Sequence, residues 1–264
     1  MNPMKNYDAI IVTGASRGIG YAVAEDLVSL TRRLFLWARA ESVHELAKAL
    51  SSPETSCYGI QTDLGDPSAV EQAAQSLELG QDAKSIAVVL AGGTLGEPGG
   101  VLTAPLECWA ECFLTNLVGN VALLRGLASH IRRAETLRVV FFAGGGAAYQ
   151  YPLFQPYAAS KVAVVRTAEN FAAELRELNS RDVSVIALAP GAVETAMLSA
   201  VRAAGGSVKT AVDISEPVSF IRRFLATDNQ QHLSGRFIHV RDDVWSGDSS
   251  LRLMPDGLKL RRIE

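Results

Sequence analysis

A short run of apolar and β-branched residues, Tyr7 to Thr13 (YDAIIVT), stops abruptly at a glycine, as a buried parallel strand does. Ile19, Val23, Leu27 and Leu30 then recur at helical spacing, so the octet Thr13 to Gly20 (TGASRGIG) is a strand-to-helix turn. Few folds admit that sequence of elements. Gly14 permits a tight turn, while Gly18 and Gly20 let backbone amides at a helix N-terminus come close to a pyrophosphate. A phosphate cradle is implied.

The rest of the chain repeats the alternation. Strands are expected at Arg33 to Arg39 (RLFLWAR), Thr55 to Gln61, Ser85 to Ala91, Val139 to Phe142 and Val183 to Ala189, with a last one, Gly235 to Val240, at the far edge of the sheet. Between them, Ser42 to Glu45 has the spacing of a capping box, and Asp66 with Pro67 opens a helix reaching about Leu79. Pro105 to about Arg133 is expected as one long helix with Trp109, Phe113, Leu117, Val121 and Leu124 on a stripe. Further helices run to about Leu178 and over Ser215 to Leu225. The pattern predicts an α/β fold: a doubly wound, mostly parallel sheet with helices on both faces, Rossmann-like, in a single domain spanning 1–264.

Composition narrows the function. With 48% apolar and 20% charged residues in 264, the chain can bury a large core, and its net charge of −3 with scattered basic residues argues against a nucleic-acid partner. It has no uninterrupted apolar run of about 18 residues and no room for a signal peptide before the first strand, so no membrane partner and a cytoplasmic location are expected. Cys57, Cys108 and Cys112 read as reduced packing residues, and His44, His130, His232 and His239 are too dispersed for a metal site. No GxSxG elbow supports a hydrolase.

Chemistry is expected at Val139 to Lys161 (VVFFAGGGAAYQYPLFQPYAASK). Tyr157 and Lys161 lie four apart on a helix and share a face, so an ammonium can favour the ionised form of a phenol whose ordinary pKa is about 10. Alone, that spacing also describes an exposed helix edge.

Other motifs decide between those readings. The octet matches TGxxxGxG letter for letter, Tyr157 and Lys161 give YxxxK, Pro190 to Thr195 give PGxxxT, and Asn116 to Gly119 give Asn-Leu-x-Gly. On these residues the chain, from about Tyr7 to Val240, resembles the short-chain dehydrogenase/reductase family. The resemblance implies a nicotinamide dinucleotide held by Gly14, Ser16, Arg17, Gly18, Ile19 and Gly20 at the pyrophosphate, by Asp63 and Leu64 at the adenine, and by Ala91 and Gly92 beyond the fourth strand. Pro190, Gly191, Val193 and Thr195 would hold the nicotinamide end, and Tyr157 and Lys161 the ribose. Relatives that use NAD carry an Asp near the end of the second strand; Arg39 stands there instead and Arg17 lies in the loop, so NADP(H) is preferred, with NAD(H) possible.

The same resemblance implies hydride transfer to a carbonyl, or from an alcohol, of a small metabolite. Tyr157 acts as acid/base, Lys161 lowers its pKa, and Asn116 bends its helix and serves a proton relay through water. A loop, Gly93 to Gly100, lies over the site, 196–212 forms a substrate lid, and the tail 241–264 packs across a neighbouring subunit or resembles tails of relatives acting on sugar-like or secondary-metabolite substrates. A homodimer or homotetramer is expected.

Two departures stand out. Leu90-Ala91-Gly92 replaces the usual Asn-Ala-Gly, and where relatives carry a catalytic Ser this chain has Ala143 or Gly144. Loss of such a donor costs about 10²- to 10³-fold in rate. Backbone amides of Gly144 to Gly146 can replace it, or Tyr149, Gln150 or Tyr151 can reach in. The chain can also be a nicotinamide-dependent isomerase or dehydratase-like enzyme, or a non-catalytic NADP(H)-binding protein.

Overall fold

The computed structural model describes residues 7–80, 82–176, 182–208, 211–245 and 257–260. In chain order its elements are β1 (Ala9–Thr13), α1 (Gly18–Leu27), β2 (Arg33–Ala38), α2 (Val43–Leu50), β3 (Ser56–Gln61), α3 (Pro67–Gln75), β4 (Ser85–Leu90) and α4 (Leu106–Phe113). A π-helical turn (Leu114–Val118) leads into α5 (Gly119–Gly126) and α6 (Ala128–Arg133). There follow β5 (Thr136–Phe142), α7 (Gly145–Ala148), α8 (Gln155–Arg176), β6 (Asp182–Ala189), β7 (Ala192–Val193), α9 (Ala196–Ala203), β8 (Ala211–Val212), α10 (Ser215–Ala226) and β9 (Arg236–His239).

Seven strands pair in the order β3-β2-β1-β4-β5-β6-β9, every neighbouring pair parallel, so the expected Rossmann-like sheet is formed. Parallel strands covered on both faces must be apolar along their length, and β1, β4 and β5 are nearly continuous buried runs. One core lies on the face carrying Ile11, Val88, Phe141, Leu123 and Val164; the other holds Ile10, Val89, Ile186, Val23 and Phe224. The strand order reverses between β1 and β4, which opens a crevice at their carboxyl ends.

Several elements differ from expectation, each for a local reason. Ser42 makes no side-chain cap; the amides of Val43 and His44 are already taken by the carbonyls of Ala40 and Glu41, so the capping box is not used. Asp66 does cap α3, accepting from Ala69 N at 3.1 Å, but the helix ends at Gln75. The long helix expected over Pro105 to Arg133 is interrupted by the π turn and again before α6. Its core-facing line runs through Cys108, Cys112, Asn116, Asn120 and Leu123, with Trp109, Phe113, Leu117 and Val121 half-buried at the margin. Small and polar residues carry that face, and a hydropathy stripe underweights them.

Leu178 lies outside the described residues, as does most of the tail. Where the tail is described, it returns to its own chain: Phe237 N donates to Leu258 O at 2.7 Å, Arg236 to Gly257 O, and Arg166 Nη2 to Leu260 O at 2.7 Å. The lid segment contains a helix, α9, bracketed by the paired β7 and β8.

Candidate active site

The floor of the crevice is backbone packed on backbone. Gly14 has φ +68, and a Cβ there would lie 2.7 Å from Gly92 Cα, so no other residue lets β1 and β4 meet so closely. Ala15 N donates to Trp37 O at 3.1 Å, and Leu64 packs on Gly92. Gly18, at φ +58, has within 4 Å of its Cβ position only Thr195, at 3.5 Å from Cγ2. The glycine loop and the PGxxxT segment thus face one another across a gap. α1 starts after Arg17 with no side-chain cap and no acidic residue in its first turn, so its leading amides and the positive end of its dipole are free for an anion. Ser16 and Ile19 are half-buried around the loop, with Ile19 on the core. This cradle fits a dinucleotide pyrophosphate.

At the adenosine end, Arg17 and Arg39 are both exposed, and Arg39 Nη1 lies 3.7 Å from Asp63 Oδ2. Asp63 Oδ1 also accepts from Gly65 N at 2.8 Å, the ordinary Asx turn. At the other end Pro190 and Val193 are buried, Gly191 turns at φ +76, Ala91 is half-buried, and Thr195 Oγ1 donates to Val193 O at 3.2 Å.

Tyr157 and Lys161 stand one turn apart near the first turn of α8, beside the end of β5. Lys161 Nζ donates to Phe142 O at 2.8 Å and lies 5.6 Å from the Tyr157 ring centroid. Burial pulls the Lys161 pKa down to about 8, against a smaller opposing effect of Cys112. Burial raises the Tyr157 phenol well above its ordinary value, and Tyr151 and Cys112 add to that. With Lys161 Nζ on the Phe142 carbonyl, burial is the largest influence on the phenol.

A line of buried hydrogen bonds holds these parts in register. Gly92 N donates to Thr13 Oγ1 (2.9 Å), Thr13 Oγ1 to Asn120 Oδ1 (3.3 Å), Asn120 Nδ2 to Asn116 O (3.1 Å), Asn116 Nδ2 to Ser160 Oγ (2.9 Å) and Ser160 Oγ to Tyr157 O (2.7 Å). Asn116 sits in the π turn and also clasps Thr94 through N (2.7 Å) and O (3.0 Å). Thr13 thus ties β1 to the segment after β4, while Leu90, where relatives have Asn, is core. Thr13, Thr94, Asn120 and Ser160 were not singled out in the sequence. The one available signal was a polar residue, Asn120, on a helix face where an apolar one fits the period.

At the missing hydroxyl the two possible positions separate. Ala143 packs into the core and its N–H donates to Leu188 O at 2.8 Å. Gly144 is extended, and a Cβ there would point at Tyr157 Oη from 2.7 Å. Gly144 is therefore the position that faces the phenol. The following glycines form the single-turn helix α7 rather than an open loop, and Tyr149 is 78% exposed while Tyr151 is half-buried. Leu95, Phe154 and Val201 of α9 are buried together, and Tyr151, Leu153, Tyr157 and Val208 pack on them.

Residues 8–205 match the family described as short chain dehydrogenase. The chain is 26% identical over 245 residues to 3-oxoacyl-[acyl-carrier-protein] reductase MabA of Mycobacterium tuberculosis, covering 90% of this chain and 93% of that one. It is 29% identical over 259 residues to 1-deoxy-11-beta-hydroxypentalenate dehydrogenase of Streptomyces exfoliatus, covering 90% and 88%. Among solved structures, a protein of Beutenbergia cavernae designated an NAD(P)-dependent gluconate 5-dehydrogenase, with bound NADP, superposes with a TM-score of 0.77 at 26% identity, covering 88% of this chain and 94% of that one.

Proposed function

The chain belongs to the short-chain dehydrogenase family, and from that premise we propose that it is an NADP(H)-dependent oxidoreductase that reduces the carbonyl of a small, uncharged metabolite, with Tyr157 as proton donor. The observation that carries this reading is the pair of half-buried Tyr157 and buried Lys161, Nζ 5.6 Å from the ring centroid, at the end of a crevice across which Gly18 faces Thr195. Bound there, NADPH supplies the hydride that the carbonyl carbon accepts.

The chain's own residues do the rest. Free amides at the start of α1 meet the pyrophosphate, and Arg39, with Arg17, turns from Asp63 to the 2′-phosphate that NADH lacks. Thr195 holds the carboxamide. Tyr157 gives its proton to the carbonyl oxygen, and a phenol raised by burial is protonated and ready to do so. Lys161 leaves the Phe142 carbonyl for the ribose and then stabilises the phenolate left behind. Asn116 braces the turn through Ser160 and serves the proton relay. α9 acts as the lid, laying Val201 on the cluster around Tyr157. Two copies pair through the faces of α4 and α8 that carry half-buried Trp109 and Phe113 and exposed Val162.

NADPH oxidation by a panel of uncharged ketones and β-keto thioesters tests the reading. Turnover lost in Tyr157→Phe supports it. The bare Gly144 favours a second reading, a non-catalytic NADP(H)-binding protein, which predicts tight NADPH binding with no turnover in either protein.

A further inference from the structure

We propose that Tyr151 donates the second hydrogen bond to the substrate oxygen, in place of the side-chain hydroxyl that Gly144 lacks. This rests on the reductase reading above. The loop after α7 offers three polar side chains, and their exposures separate them: Tyr149 and Gln150 face solvent, whereas Tyr151 is turned inward and half-buried. Its ring stands edge-on to Tyr157, centroids 6.5 Å apart at 61°, and stacks on Phe154 at 5.8 Å and 25°.

Phe154 is itself fixed. It is 1% exposed, its N–H bonds Tyr151 O at 3.2 Å, and the flanking Leu153 O accepts from Gly99 N at 2.7 Å. Tyr151 is thus seated on a buried ring and a closed turn, not on a free loop. Burial holds its phenol above the ordinary value, so it remains a neutral donor across the physiological range.

The surroundings amplify such a bond. Leu95, Leu153, Phe154, Val201 and Val208 line the cluster, and a donor in apolar surroundings aimed at a developing oxyanion is worth more than one in water. Two phenols then share one oxygen: Tyr157 gives up its proton, and Tyr151 keeps its own. A larger side chain approaching from the loop replaces a small one approaching from position 144.

The test uses acetophenone as the uncharged probe ketone. Tyr151→Phe keeps the stacking on Phe154 and removes only the hydroxyl. We expect kcat to fall about 10²- to 10³-fold, with NADPH binding by fluorescence unchanged. The loss should fall on kcat, with KM for acetophenone within about threefold, a split that mere packing by Tyr151 would not show. A reading independent of turnover comes from 3-fluorotyrosine at position 151, whose ¹⁹F resonance should move when acetophenone joins the NADP⁺ complex. Turnover in Tyr151→Phe within threefold of wild type, with Tyr157→Phe inactive, overturns the assignment and leaves the reductase reading standing. A loss carried by KM instead of kcat, with the resonance unmoved, also overturns it. If the wild type reduces no ketone of the wider panel, the reductase reading falls and takes this one with it.

Discussion

The two sides of the crevice are built from different materials. On the cofactor side, main chain meets main chain: Gly14 lies against Gly92, Ala15 N–H bonds Trp37 O, and the uncapped start of α1 presents amides. On the substrate side, side chains meet side chains: Tyr151, Phe154, Leu95 and Val201 enclose Tyr157, and the one backbone position that matters, Gly144, is bare. Backbone packed on backbone, as at Gly14, tolerates almost no substitution, because a Cβ there collides with Gly92. A site made of side chains can be rebuilt by another donor that reaches the same oxygen, so a missing Ser on this side does not carry the meaning of a missing Gly on the other.

That contrast can be broken at several points. The largest effect is expected for Tyr157→Phe, which should lower turnover by about 10²- to 10⁴-fold while leaving NADPH affinity within twofold; a parallel loss of affinity would show that the two sides are not separable. Next, Gly14→Ala combines a left-handed backbone with a Cβ 2.7 Å from Gly92 Cα and should cost about 2–4 kcal/mol in denaturant unfolding. Gly18→Ala, with only Thr195 near, should cost about 1–2 kcal/mol and act mainly on cofactor affinity. Equal losses for the two glycines would contradict the packing argument.

Arg39→Asp should weaken NADPH by about 10- to 100-fold, as loss of a charge-assisted bond does, and leave NADH nearly unaffected; equal weakening of both removes the 2′-phosphate assignment. Asn120→Leu, in the line joining the two sides, should cost about 1–3 kcal/mol by leaving the Thr13 hydroxyl without its acceptor. The smallest effect is on pH. Burial lowers the Lys161 pKa to about 8, so kcat/KM for reduction should decline above that pH as the ammonium is lost, and Lys161→Arg should abolish the decline. For stability the sign is opposite: between about 8 and the ordinary 10.5 the unfolded chain binds this proton more tightly, so the Lys161 contribution to stability improves as pH rises.

The cofactor side was legible in the sequence because glycine spacing and an apolar strand leave little freedom. TGASRGIG fixed where the chain turns, and Pro190 to Thr195 fixed the far end. The parallel sheet, with its last strand at the edge, followed from the alternation of elements. The line Thr13–Asn120–Asn116–Ser160 was not legible, since each residue is an ordinary polar one in isolation and only the crossing of α5 over β1 brings them together. That the inward line of α4 runs through Cys108 and Cys112 and leaves Trp109 and Phe113 at the margin was hidden for the same reason: packing, not hydropathy, decides which flank of a helix faces in. On the substrate side the resemblance implies a Ser hydroxyl that neither Ala143 nor Gly144 supplies, and it leaves both positions open. Only the direction of Cβ at Gly144 distinguishes them.

Transfer of a labelled hydride tests the central claim most directly. Wild-type protein is incubated with NADPH deuterated at C4 and the ketone and β-keto thioester panel, and the alcohol products are examined by mass spectrometry. The account predicts deuterium on the carbinol carbon, and none with Tyr157→Phe at equal NADPH saturation. Tight NADPH binding with no deuterium in any product, and no difference between wild type and Tyr157→Phe, would contradict it.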